Sequence, residues 1–245
     1  MNRRILTGGA ILGLAVTLAA CQQKEEQAGS NAAPPAAASA PAAAARPQPV
    51  KLSLDPAQVA RGEKLYQQNC QVCHQPDAIG KPGFAPSLTN PEFLSIASDK
   101  FLLGTIRDGR PGTGMPPFAH LGRKNIEAIV AYLRSHSKLP FRAAEVDAQP
   151  DAHGDPRLGR FWFDQICATC HGPNGDGYVA GGTGTAIGKA GFLDKVSDGF
   201  IRETIKHGRS NTRMLGFSGP DGLASLSDKE IDDIIAYLRT VPSKS

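Results

Sequence analysis

The chain carries one pattern twice, and that repetition limits what it can fold into. Gly62, Tyr66, Cys70, Cys73 and His74 recur as Gly159, Phe163, Cys167, Cys170 and His171, each 97 residues later. Phe101, Ile106, Gly109, Arg110, Met115 and Phe118 recur as Phe200, Ile205, Gly208, Arg209, Met214 and Phe217, each 99 residues later. The run Ala131-Tyr132-Leu133-Arg134 returns as Ala236-Tyr237-Leu238-Arg239. Offsets that change only by loop-sized steps mean two copies of one domain. Their expected bounds are 53–138 and 154–243, with 139–153 as the link. Each copy reads as helical. Asp55 before Pro56 is a cap followed by proline at the first helical position. Ile126, Ile129, Val130 and Leu133 form one apolar face at i, i+3, i+4 and i+7. Ile231, Ile234, Ile235 and Leu238 repeat that face, preceded by a Ser227/Glu230 capping box. No run alternates convincingly with period two. The expected fold is therefore all-α, with two tandem helical domains.

Residues 1–20 read as an export signal: Arg3 and Arg4, then an apolar stretch ending in small residues. Leu18-Ala19-Ala20-Cys21 has the pattern of a bacterial lipobox, which would place a lipid on Cys21. An ordinary signal peptide and a twin-arginine signal are the alternatives. Residues 21–52 are dominated by Ala and Pro, as in APPAAASAPAAAARPQP, and read as a disordered tether. No other stretch approaches the ~18 apolar residues of a membrane span. The expected location is the periplasm or the outer face of a bacterial membrane, reached through the lipid anchor. The chain has 27 basic and 23 acidic residues, and loss of Arg3 and Arg4 brings it near neutrality. With no basic tract or aromatic ladder, nucleic-acid binding has no support.

Five cysteines is an odd count for an exported chain. If Cys21 takes lipid, two Cys-x-x-Cys pairs remain, each followed by histidine. Structural zinc needs four Cys or His ligands at short range, and each copy offers no fourth. A thioredoxin-like pair needs a strand-helix context that is missing. Covalent haem c attachment uses every part of the motif. Cys70 and Cys73, and likewise Cys167 and Cys170, would bond the two vinyl groups on one porphyrin edge. His74 and His171 would then lie under the iron as proximal ligands. The only methionines besides Met1 are Met115 and Met214, and they are repeat partners. They are the expected sixth ligands. His120, His136, His153 and His207 have no repeat partner and read as surface residues, with His207 the rival to Met214. The expected cofactors are two covalent haems, which would also staple small, glycine-rich domains.

On CxxCH, the Gly and aromatic before it, the methionine loop and the aromatic last helix, both copies resemble tandem dihaem members of the class I cytochrome c family. The resemblance implies that the first and last helices cross, Gly62 and Tyr66 meeting Tyr132, and Gly159 and Phe163 meeting Tyr237. It implies that the ligand histidine donates to a carbonyl in a proline loop, here Ala85-Pro86-Ser87-Leu88. The second copy departs from the pattern: no proline lies between Pro173 and Pro220, and GTGMPPF becomes NTRMLGF. The Met214 loop should be less stiff and the two haems unequal. The implied function is single-electron transfer between protein redox partners, as a carrier or as the cytochrome subunit of a respiratory or dehydrogenase complex. The rival is a dihaem enzyme, of peroxidase or thiosulfate-oxidising type, with an open or labile second haem. The copies also differ in charge: net +4 over 51–140 against zero over 154–245.

Overall fold

The computed structural model describes residues 54–244. The expected leader, Cys21 and the tether lie outside the described residues. Among the described residues every regular element is helical, apart from one isolated bridge between Lys81 and Ala85. No helix among them is long and apolar enough to cross a membrane.

In the first lobe, α1 (Pro56–Asn69) starts at Asp55, whose carboxylate accepts the Gln58 N–H. Short α2 (Gln71–His74), α3 (Pro91–Ile96) and α4 (Asp99–Asp108) follow, and α5 (Arg123–Ser135) closes the lobe. Helices α1 and α5 cross at Gly62, where a Cβ would overlap the Ala128 carbonyl. One turn later the fully buried Tyr66 stacks on Tyr132, with ring centroids 5.3 Å apart. Its hydroxyl donates to Gln75 O at 2.6 Å. Tyr66 thus fixes both the crossing and the backbone directly after His74.

The connecting segment folds into α6 (Ala143–Asp147), whose Val146 is fully buried. Arg142 N–H donates to Ser95 O at 2.8 Å on one side, and Ser197 Oγ donates to Asp147 at 2.7 Å on the other. The link is a wedge that both lobes grip.

The second lobe begins with α7 (Pro156–Trp162), which runs on as a π-helical turn over Phe163–Cys167. Then come α8 (Ala168–His171), α9 (Ala190–Leu193), α10 (Asp198–His207) and α11 (Asp228–Thr240). Ser227 and Glu230 cap α11 reciprocally. Gly159 meets the Asp233 carbonyl as Gly62 meets that of Ala128, and Phe163 stacks on Tyr237 at 5.3 Å. Two differences stand out. The first lobe's helix stays α-helical to Asn69, whereas this one widens just before Cys167. Buried Asp233 also replaces Ala128, accepting from Asp155 N–H at 2.7 Å and from Lys229 at 3.0 Å.

Each last helix carries an arginine, buried in the first lobe and partly exposed in the second, that ties it to the lobe's middle. Arg134 bonds Asp99 at 2.8 Å and the carbonyls of Leu94 and Ala97. Arg239 bonds Asp198 and the carbonyls of Leu193 and Val196 in the same way.

The lobes meet through four phenylalanines, two from each. Phe101 lies 5.4 Å from Phe200 and 6.2 Å from Phe192, and Phe93 lies 6.4 Å from Phe200. Phe93 and Phe192 are repeat equivalents, as are Phe101 and Phe200, so the contact has an approximate two-fold character. Each ring is less than a tenth exposed. Burial of each contributes about 1.5–3 kcal/mol. Residues 54–244 accordingly form one compact unit.

Candidate cofactor sites

The CxxCH segments fold as single helical turns. Cys73 and His74 N–H groups both donate to Cys70 O, at 3.1 and 3.0 Å. All four described cysteines are free of disulfide partners. Burial, reinforced by the neighbouring thiol, pushes Cys70 up to about 11 and Cys167 up to about 12. Such thiols are neutral, the opposite of the activated thiolate a disulfide-exchange pair needs. Among the described residues, no three His, Cys, Asp or Glu side chains converge on a metal position. That geometry does not suit a zinc knuckle.

Both histidines are oriented by a backbone carbonyl. His74 Nδ1 donates to Pro86 O at 2.9 Å, and His171 Nδ1 donates to Thr185 O at 2.8 Å. Burial lowers both imidazole pKa values, which the carbonyl bonds partly oppose; the nearby Arg209 charge lowers that of His171 further. Each ring is therefore neutral, with its proton on Nδ1, and Nε2 has no hydrogen-bond partner among the described residues. A neutral imidazole held at Nδ1 with a free Nε2 lone pair is the arrangement of a metal-bound histidine.

The second lobe keeps this carbonyl without a proline. Thr185 follows Pro86 by 99 positions while His171 follows His74 by 97, so the loop is two residues longer. It threads past the imidazole at Gly184, where a Cβ would lie 2.7 Å from the ring. Side-chain size, not proline, sets that approach.

The methionine loops are hydrogen-bonded alike. Met115 N–H donates to Thr113 Oγ1 at 3.2 Å and Met115 O accepts from Arg110 N–H at 3.0 Å. Met214 N–H donates to Thr212 Oγ1 at 3.0 Å and Met214 O accepts from Arg209 N–H at 2.6 Å. Both side chains are partly buried against the core. The rival His207 is exposed and faces Glu203 at 3.7 Å. His120 and His153 are exposed, and His136 packs on Tyr132, to whose carbonyl its Nδ1 bonds at 3.0 Å.

The residues present fit a haem in each lobe: two free thiols, a carbonyl-held neutral imidazole, and a partly buried thioether. Three features of the surroundings were not read from the sequence. The first is the Thr185 carbonyl. The second is a bond from the first lobe to the Met214 loop: Glu92 accepts from Ser210 N–H and Oγ–H at 3.1 and 2.9 Å, and Asn90 donates to Ser210 O at 3.0 Å. The third is the environment of Arg110 and Arg209, visible in the sequence only as a matched pair. Each guanidinium crosses to the other lobe, Arg110 over Phe192 at 4.7 Å and Arg209 over Phe93 at 4.9 Å. Burial lowers each to about 10, so both stay charged at neutral pH.

Fold and sites together define a tandem-domain, dihaem-type c-type cytochrome, with two cytochrome c-like helical domains. The family model described as cytochrome c oxidase, cbb3-type, subunit III matches residues 57–133, and the cytochrome c model matches residues 157–242. The chain is related to the CcoP and FixP subunits of cbb3-type oxidases. It is 32% identical to the CcoP subunit of Rubrivivax gelatinosus over 195 residues, covering 79% of this chain and 58% of that protein. It is 28% identical to the FixP subunit of Bradyrhizobium sp. (strain ORS 278) over 166 residues, covering 62% of this chain and 52% of that one. It is 42% identical over 128 residues to the dihydro-heme d1 dehydrogenase of Pseudomonas aeruginosa, covering 49% of this chain and 25% of that protein. The chain thus spans no more than about three-fifths of the length of these relatives.

Proposed function

We propose that the chain is a lipid-anchored dihaem electron carrier, or the cytochrome subunit of a respiratory complex, at the periplasmic face of a bacterial membrane. It passes single electrons from a donor protein to an acceptor of the cbb3-type oxidase class, and is not itself an enzyme. The matched histidine-to-carbonyl bonds at Pro86 and Thr185 carry this reading, because they prepare one iron ligand in each lobe. Cys70 and Cys73 would hold the first haem and Cys167 and Cys170 the second, with His74 and Met115, and His171 and Met214, as the residues that would bind the irons. Each haem would supply a one-electron Fe(III)/Fe(II) couple. The protein keeps the imidazoles neutral and oriented, and presents a thioether of the kind that raises a haem potential. With a histidine and a methionine offered to each iron, no coordination position would be left for a substrate. The likeness to a dehydrogenase from Pseudomonas aeruginosa favours a second reading, in which the same lobes accept electrons from a dehydrogenase partner.

Carbon monoxide separates electron transfer from haem catalysis. The reduced protein should give no carbon monoxide difference spectrum. Stoichiometric binding at one haem per chain would replace this reading with the dihaem enzyme. The anchor is tested separately: Cys21→Ser should release haem-loaded protein from membranes, and continued membrane association would remove the lipid from the account.

A further inference from the structure

The first helix of each lobe turns one face to the last helix, at Gly62 and Gly159, and the opposite face to solvent. Position by position the outer faces differ. Arg61, Lys64 and Asn69 of α1 become Leu158, Phe161 and Ile166 in α7 and its π-helical turn, each 97 residues later. Arg61 and Lys64 are exposed, as charged side chains should be. Leu158 and Phe161 are exposed too, at 49% and 54%. Leu158, Phe161 and Trp162 are neighbours at i, i+3 and i+4. The Trp162 ring packs edge-on against Phe161, with centroids 5.1 Å apart, and Ile166 is only partly buried. The second lobe thus shows water a contiguous apolar stripe where the same fold in the same chain needs none. The charges on this helix are also distinctive. From Asp155 to Cys167 they sum to zero: Asp155 pairs with Arg157 at 3.1 Å, and Asp164 with Arg160 at 2.6 Å. An anionic lipid surface favours an excess of basic residues, and steering of a charged partner needs one sign in excess. An apolar stripe bordered by both signs in equal number suits a copy of itself.

We propose that this face of the second lobe is the contact through which two copies of the chain form a two-fold dimer. A two-fold interface brings one surface patch against itself. With the axis at Trp162, antiparallel helices pair residues equidistant from it. Leu158 meets the partner's Ile166, Arg160 meets the partner's Asp164, and each contact is made twice. Exposed ion pairs contribute little within one chain, so sharing each guanidinium between its own carboxylate and the partner's costs little. Aromatic and arginine side chains are also the types on which interfaces depend most. The first lobe offers Arg61 and Asn69, and Glu63 and Gln67, at the same four positions, and no such match.

The test is sedimentation equilibrium of the full-length holoprotein in density-matched detergent. The patch is small, so the wild-type protein should be dimeric at about 100 μM and dissociate on dilution with a Kd of about 10 μM. Leu158→Arg and Phe161→Lys install the side chains that the first lobe carries at the same exposed positions. Each should raise the Kd at least about tenfold and leave the melting temperature unchanged. Arg160→Glu and Asp164→Lys should each weaken self-association as well, by setting like charges together. Mixed in equal amounts, those two variants should form a dimer with each other, which no effect within a single chain can produce. A wild-type monomer at the higher concentration overturns the proposal. A dimer that Leu158→Arg and Phe161→Lys leave intact overturns the choice of face, and a mixture that stays monomeric overturns the two-fold register. In a monomeric Cys21→Ser protein, binding to phosphatidylglycerol vesicles that Phe161→Lys abolishes would overturn the dimer in favour of a lipid surface.

Discussion

The two lobes share a skeleton and differ in what stiffens it. In the first, proline sits at each critical place: Pro86 supplies the histidine's carbonyl, and Pro116 and Pro117 follow Met115. In the second, Thr185 supplies the carbonyl from a loop two residues longer, and Leu215 and Gly216 follow Met214. The second lobe recovers part of the loss from its neighbour. Glu92 and Asn90 of the first lobe hold Ser210, in the loop that leads to Met214. The reverse contact is apolar: Gly191 stands where Glu92 would, leaving room for Pro111. Local rigidity lost from a sequence can thus be replaced by a tertiary bond, and here the replacement runs in one direction only.

Where the lobes are alike, equal lesions should have equal effects. Gly62→Val and Gly159→Val each drive a side chain into the facing helix backbone, and each should destabilise its lobe by about 3 kcal/mol or more. Haem recovered per chain should fall for both. Tolerance of either change would show that the two crossings are not built alike.

Where burial differs, the effects should split. Arg134 is 8% exposed and Arg239 33%. Arg134→Met removes a buried guanidinium from partly exposed Asp99 and from the carbonyls of Leu94 and Ala97, and should cost about 3–4 kcal/mol in denaturant unfolding, against about 1–2 for Arg239→Met. Equal losses would mean that solvent does not relieve Arg239.

The methionine loops should differ by less. Proline restricts the chain after Met115, whereas Gly216 must lose more freedom for Met214 to stay in place. Imidazole should displace Met214 at about a tenfold lower concentration than Met115, a difference of about 1.4 kcal/mol. The sulfur-to-iron absorption band should then disappear in two steps, assigned with Met115→Ala and Met214→Ala. A single step, or loss of the Met115 step first, contradicts the loop comparison. The smallest effect tests the borrowed stiffness. Glu92→Ala should ease displacement of Met214 a further two- to fivefold, on the order of 0.5–1 kcal/mol, and leave Met115 unchanged.

Much of this was legible because covalent and helical signals are local. Asp55, the Ser227/Glu230 box and the i, i+3, i+4 stripes each fix a helix within a few residues, and the structure shows those helices. The crossings at Gly62 and Gly159 followed from the family resemblance. The lobe boundary was not legible. Phe101 and Phe200 stood out only as repeat partners and Phe93 and Phe192 not at all, and only the two-fold packing turns the four into one cluster. Thr185 carried no signal either, since a backbone carbonyl can come from any residue that the loop length brings to the ring. Arg110 and Arg209 were visible as repeat partners. That each guanidinium crosses to a ring of the other lobe is a property of three-dimensional packing.

One measurement bears most directly on the account: the intact mass of the purified, denatured protein. The account predicts the polypeptide plus two covalently attached haems, one fewer in Cys70→Ser/Cys73→Ser and one fewer in Cys167→Ser/Cys170→Ser. A wild-type mass with a single haem, or with none, would contradict it.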